Sequence, residues 1–285
     1  MNLQMNMIEE AHLGSIGDIC FLNGNLISVA EDGIMKVFEV KNQKLILTNT
    51  IELPQKTAPH SVSSNGVDKI ILDGPTVNLH EINSGSSLNS EVFSNPLVTM
   101  KFQHEVSKVR FNGSKWVVGI SGDEHLGIFN TETQKTILCK PGHEGCSVKS
   151  GQVDPFGNYV ASTGTDGYIN IYKLAESSAD FLTKIKITDK KVPADRTFDL
   201  EFQWLQDGET ILIPGKKSIG FINKDDDTNE WSITYEEMIS HDHEITSLQS
   251  LTNEILLTYS AGDNIIKVWM LNDEGCKCIN SFKLK

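Results

Sequence analysis

Apolar residues along this chain fall in short runs that are broken at regular intervals by Gly, Asn and Asp. Lys69–Leu72, Trp116–Ile120 and Glu254–Leu257 are such runs, rich in Ile, Val and Leu. Short β-branched runs bounded by turn residues are the pattern of strands, and the three-to-four spacing of an amphipathic helix is almost absent. The pattern predicts an all-β chain. Asp32-Gly33 and Asp166-Gly167 are tight hairpin signals, because such turns need a positive φ that glycine adopts without a Cβ clash. Ser84–Ser90 and Asp225–Asn229 read as polar loops, too short to be interdomain linkers.

One motif then recurs six times. Its copies are EDGIMKVF (31–38), DGPTVNLH (73–80), GDEHLGIF (122–129), TDGYINIY (165–172), PGKKSIGF (214–221) and GDNIIKVW (262–269). In each copy the turn residue and the closing ring are six apart, at 32/38, 74/80, 123/129, 166/172, 215/221 and 263/269. Successive turns are separated by 42, 49, 43, 49 and 48 residues, near the roughly 40–45 residues of a four-stranded propeller blade. A strand pair precedes each copy, as in 17–21 with 26–30 and 246–251 with 255–260, and a further apolar stretch follows, as in 44–53 and 276–284. The expected architecture is a β-propeller of six four-stranded blades. A lone blade cannot cover its own faces, so neighbours must stack. Residues 1–285 read as a single propeller domain, with 1–11 a flexible or ring-closing segment.

These copies resemble WD40 repeats. Trp269 closes the sixth, Tyr172 and Phe38 stand at the same position, and Gly142-His143 resembles the Gly-His pair that opens such a repeat. Over 109–130, GHEG, VDPFGNYVASTGTDGYINIYKL and ILIPGKKSIGFI, the chain is similar in order and spacing to the amino-terminal propeller of the WD-repeat and HMG-box DNA-binding protein family. That resemblance, which covers residues 12–285, implies a replisome adaptor joining the replicative helicase to DNA polymerase α. It also implies a seventh repeat, whereas six are legible, and a second, trimer-forming propeller that does not follow here.

Composition narrows the partners. With 25 Lys and Arg against 38 Asp and Glu the net charge is −13, so the body as a whole repels phosphate backbones and acidic membranes. Any DNA contact is expected to be weak. It would fall on Lys190, Lys191, Arg196, Lys216 and Lys217, the one basic grouping that neighbouring repeats could bring together. No apolar run approaches the roughly 20 residues of a membrane span, and residues 1–11 lack the features of a signal peptide. Five scattered cysteines suit a reducing compartment. The expectation is an intracellular protein, nuclear if the replisome resemblance holds and cytoplasmic if it serves another complex.

His143, Ser162, Asp166 and Tyr172 form the best polar constellation, with Asp263 and Trp269, preceded by His243, as its counterpart in the sixth copy. By resemblance these are a structural hydrogen-bonded chain. The same side chains could make a Ser-His-Asp triad, but no nucleophile elbow or oxyanion loop accompanies Ser162. His241 and His243 make an H-x-H pair and Cys276 with Cys278 a C-x-C pair, neither with a further ligand at a metal-site spacing, so no metal is expected. No phosphate-binding glycine loop occurs, and no cofactor or small-molecule substrate is expected. The function expected is therefore a non-enzymatic scaffold for protein partners. Its binding loops would include Phe156, Asn158, Asp207, Glu209, Asp225, Asp226 and Asp227. A generic adaptor of a ubiquitin ligase, chromatin or trafficking complex is the second reading, and an enzyme at the central pore the third.

Overall fold

A computed structural model describes residues 11–42, 44–53, 59–73, 76–82, 88–104, 106–113, 115–187, 201–214, 218–225, 227–236, 241–272 and 275–284. Among these residues are six four-stranded sheets, each with its strands paired in chain order. Blade 1 is β1 (Ile16–Leu22), β2 (Asn25–Ala30), β3 (Ile34–Lys41) and β4 (Lys44–Glu52). Blade 2 is β5 (Val62–Ser64), β6 (Lys69–Leu72), β7 (Val77–Glu81) and β8 (Val98–Met100). Blade 3 is β9 (Lys108–Asn112), β10 (Trp116–Ile120), β11 (Gly127–Asn130) and β12 (Lys135–Leu138). Blade 4 is β13 (Val148–Val153), β14 (Tyr159–Gly164), β15 (Tyr168–Leu174) and β16 (Ala179–Lys186). Blade 5 is β17 (Gln203–Trp204), β18 (Thr210–Pro214), β19 (Ile219–Lys224) and β20 (Trp231–Glu236). Blade 6 is β21 (Ser247–Ser250), β22 (Ile255–Ser260), β23 (Ile265–Asn272) and β24 (Gly275–Lys283). These are the six four-stranded propeller blades that the repeat predicts.

One short helix interrupts the strands. Of the predicted loop Ser84–Ser90, residues 84–87 lie outside the described residues and Ser90 opens α1 (Ser90–Ser94), where the Asn89 carboxamide oxygen accepts the Val92 N–H at 3.3 Å and Phe93 is buried. An Asn N-cap can start a helical turn within a polar stretch, which a reading by hydrophobic period misses. No helix among the described residues is long and apolar enough to cross a membrane.

The chain divides into two compact units, residues 1–121 with 129–136 and residues 122–128 with 137–285. In the first, Ile27, Val29, Met35 and Val37 of blade 1 close over Val62, Ile70 and Leu72 of blade 2. The other face of blade 2, with Ile71, Val77 and Leu79, meets Val109, Phe111 and Val117 of blade 3. In the second, Ile169 and Ile171 of blade 4 pack on Trp204, Ile211, Ile213 and Trp231 of blade 5. Leu212 and Ile219, from the opposite face of blade 5, meet Leu248, Leu256 and Trp269 of blade 6. Each such side chain contributes about 1.5–3 kcal/mol on full burial, and alternation along a strand sends successive residues to the two neighbouring blades.

The shared turn-to-ring spacing has a structural counterpart. Opposite the closing ring, the outermost strand carries one extra residue in three blades: between Val37 and Phe38, Ile171 and Tyr172, and Val268 and Trp269 the register slips by one. Such a bulge bends the edge strand and increases its twist. The other two outer pairs with a described register, in blades 2 and 5, run without a slip. In the hairpins before these rings, Gly33 and Gly167 hold φ of 75° and 80°, and blade 6 uses Asn264 at 56° in their place.

Candidate functional site

Blades 1, 4 and 6 each bury one histidine in a polar chain. In blade 4, His143 Nδ1 lies 2.8 Å from Asp166 Oδ1 and its Nε2 2.9 Å from Ser162 Oγ. Blade 6 repeats this with His241, whose Nδ1 is 2.9 Å from Asp263 Oδ2 and Nε2 2.9 Å from Thr258 Oγ1. Blade 1 repeats it with His12, 3.1 Å from Asp32 Oδ2 and 2.7 Å from Ser28 Oγ. The tautomer that satisfies every group carries its proton on Nδ1, donates to the carboxylate and accepts the hydroxyl proton on Nε2.

One expectation needs correction. The histidine of the sixth blade is His241, not His243. His243 lies instead against Gly262, where an added Cβ would fall 2.5 Å from its Cβ. The closing ring also differs between blades. Trp269 Nε1 donates to Thr258 Oγ1 at 2.8 Å and completes the chain, while the Tyr172 hydroxyl, which also bonds with Ser162, donates to the Pro141 carbonyl at 2.6 Å and accepts from Asn170 Nδ2 at 3.2 Å. A phenol reaches further than an indole N–H and so ties blade 4 to the loop that delivers His143. His12 was missed altogether because Ala11 replaces the Gly of the Gly-His signal. Its separation of 20 residues from Asp32, against 23 and 22 in blades 4 and 6, was the cue available.

The connectivity of Asp166, His143 and Ser162 is that of a catalytic triad, but its setting is not. His143 is 0% exposed and Ser162 1%, so no acyl group can reach the hydroxyl. Burial alone would raise the Asp166 carboxyl, but hydrogen bonds from His143 and Lys184, the electrostatic pull of the His143 ring and the Tyr168 N–H bring it down to about 2. Lys184 is 2.9 Å from Asp166 Oδ2 and 4.5 Å over the Tyr168 ring. Asp32 and Asp263 are likewise lowered, because N–H and histidine donors outweigh desolvation. With both of its ring nitrogens engaged, His241 has none to give a metal with His243. Among the described residues no group of three His, Cys, Asp or Glu could hold a metal ion. Cys276 and Cys278 stand opposite Leu271 and Trp269 on the edge strand β24.

The first unit holds a second polar node that the repeat pattern did not reveal. Ser61 Oγ donates to Asp18 Oδ2 at 2.8 Å while its N–H donates to Asp73 Oδ1 at 2.7 Å. Desolvation pushes the buried Asp73 up to about 6, with the nearby Asp18 charge acting in the same direction against hydrogen bonds from Ser61 and His60.

The predicted binding loops gather at one end of the second unit. Asp154 caps its own turn by accepting the Phe156 N–H at 2.9 Å and the Tyr159 N–H at 2.5 Å, which leaves Phe156 67% exposed. That ring rests on Gly208 of the next blade, where φ is 71° and an added Cβ would fall 2.6 Å from Phe156 Cδ2. Asn158 lends its carbonyl to the Leu174 N–H at 2.8 Å. Asp207 Oδ1 accepts the Glu209 and Thr210 N–H groups, both at 2.9 Å. The Gln206 N–H in turn donates to Asn253 Oδ1 of blade 6 at 2.7 Å. Asp225 accepts from the Asp227 and Thr228 N–H groups and from the Thr228 hydroxyl, so its carboxylate is held low by its own hairpin. Asp227 is exposed beside it, and Asp226 lies outside the described residues. Lys190, Lys191, Arg196, Lys216 and Lys217 also lie outside them.

Residues 133–173 match the family model described as WD domain, G-beta repeat. The match runs from the outer strand of blade 3 through three strands of blade 4 and contains the whole His143, Ser162, Asp166 and Tyr172 set. No curated protein matches the chain.

Proposed function

We propose that this chain is a non-enzymatic protein-interaction scaffold and that it serves as a replisome adaptor, linking DNA polymerase α to the replicative helicase in the nucleus. The scaffold reading is supported by one observation above all: a large aromatic, Phe156, stands exposed on a turn whose backbone is tied by Asp154 and whose ring is seated on Gly208. A side chain held in advance by its own turn loses little entropy on docking. In blade 4 the His143 and Ser162 side chains that a triad would need are buried in the hydrogen-bonded chain. The replication part rests on the resemblance carried by 109–174 and the ILIPGKKS element.

Crosslinking followed by mass spectrometry, with the purified chain added to nuclear extract, tests it. Recovery of polymerase α or helicase subunits is expected. Recovery of coat or ubiquitin-ligase subunits alone would remove the replication role and leave the scaffold.

A further inference from the structure

In an antiparallel four-stranded meander the first and third turns lie at the same end of the sheet. For blades 4 to 6 this places 154–158, 175–178, 205–209, 225–230 and 251–254 together at one end of the second unit. Contacts between blades run along it, from Phe156 to Gly208 and from the Gln206 N–H to Asn253. The large apolar side chains exposed in these turns are Phe156, at 67%, and Leu251, at 44%. In the same turns Glu176, Asp207, Glu209, Asp227, Glu230 and Glu254 are all exposed. The basic side chains in or beside these turns are Lys173 and Lys224, and Lys224 lies over the Tyr159 ring at 5.8 Å.

We infer that this end binds a lysine- or arginine-rich peptide segment carrying a large apolar side chain. The inference rests on the scaffold reading and adds the chemistry of the partner. Charge complementarity selects the occupant. A set of turns that exposes carboxylates beside apolar side chains attracts cations and repels acidic or nucleic-acid partners, the charges steering encounter while the apolar side chains set residence. Long cationic side chains suit the geometry, since their methylene stems lie along an aromatic face while their heads reach the carboxylates.

The test uses the full chain and fluorescein-labelled peptides of alternating lysine and leucine, glutamate and leucine, or serine and leucine, with affinity read by anisotropy. Only the lysine peptide should bind well. Combined E209Q, E230Q and E254Q, which breaks none of the turn hydrogen bonds above, should raise Kd about tenfold and flatten its salt dependence. F156A should raise Kd roughly fivefold, as loss of an aromatic anchor does. Combined E144Q and D242N, at the opposite end of blades 4 and 6, should leave Kd within about twofold. Unchanged binding by the triple variant overturns the inference. So does equal binding of the glutamate peptide. If the serine or glutamate peptide instead protects the amides of 156–158 and 206–209 from exchange, the scaffold reading survives and the charge inference falls. If no peptide protects them, both fall.

Discussion

Thr258→Val isolates the polar chain of blade 6. Thr258 is 1% exposed, and its oxygen accepts from Trp269 Nε1 at 2.8 Å while its proton goes to His241 Nε2 at 2.9 Å. Valine preserves the volume and supplies neither bond, so an indole N–H and an imidazole nitrogen are both left in the core without partners. Each buried unsatisfied group costs about 1–3 kcal/mol, giving roughly 2–5 kcal/mol for the pair. Ser28→Ala in blade 1 strands only His12 Nε2, because the closing ring there is Phe38, and should cost about half as much. Urea unfolding followed by tryptophan emission reads the difference, since Trp204, Trp231 and Trp269 belong to the second unit and Trp116 to the first. A double-mutant cycle with W269F removes the shared donor and should show a coupling of about 1 kcal/mol or more. A T258V cost below about 0.5 kcal/mol, or additive behaviour in the cycle, would refute a linked chain.

Three further outcomes follow from the same geometry. Asp166 titrates near 2 in the folded chain against 3.8 for the free side chain, so its stabilisation is complete above about pH 4 and is lost as the pH falls toward 2. D166N should flatten that stretch of the stability curve, measured as urea midpoints of the second unit, and lower the midpoint at neutral pH. Asp73 has the opposite sign: its folded value near 6 lies above 3.8, so the fold is penalised as the pH rises through that interval. D73N keeps an acceptor for the Ser61 N–H and should raise the stability of the first unit at pH 7.5 by about 1–2 kcal/mol, an advantage gone by pH 4; an equal effect at both pH values would dismiss the desolvation argument. G208A places a Cβ at positive φ and against Phe156, and should cost about 1–2 kcal/mol by thermal unfolding, with the φ penalty remaining in the F156A background.

The repeat was legible in the chain itself because its parts are local. A bend and a ring six residues later belong to one hairpin strand, whose rise per residue sets their separation whatever the rest of the chain does. Hence all six copies, their four strands and the Asp166 and Asp263 turns could be read directly. The histidines could not be assigned with the same certainty, because each enters from a loop about 20 residues upstream. The path of that loop decided for His241 over His243 and made a partner of His12 despite the absent Gly. Whether the closing ring bonds within the chain alone, as Trp269 does, or also reaches a loop carbonyl, as Tyr172 does, depended on the reach of the ring in three dimensions. The Asp18, Ser61 and Asp73 node and the acidic end around Phe156 bring together residues of different turns and blades, and the bulges opposite the rings come from how each outer strand pairs with the strand before it. Composition showed an acidic chain, but only the alternating direction of the strands decided that so many of its carboxylates stand at the same end.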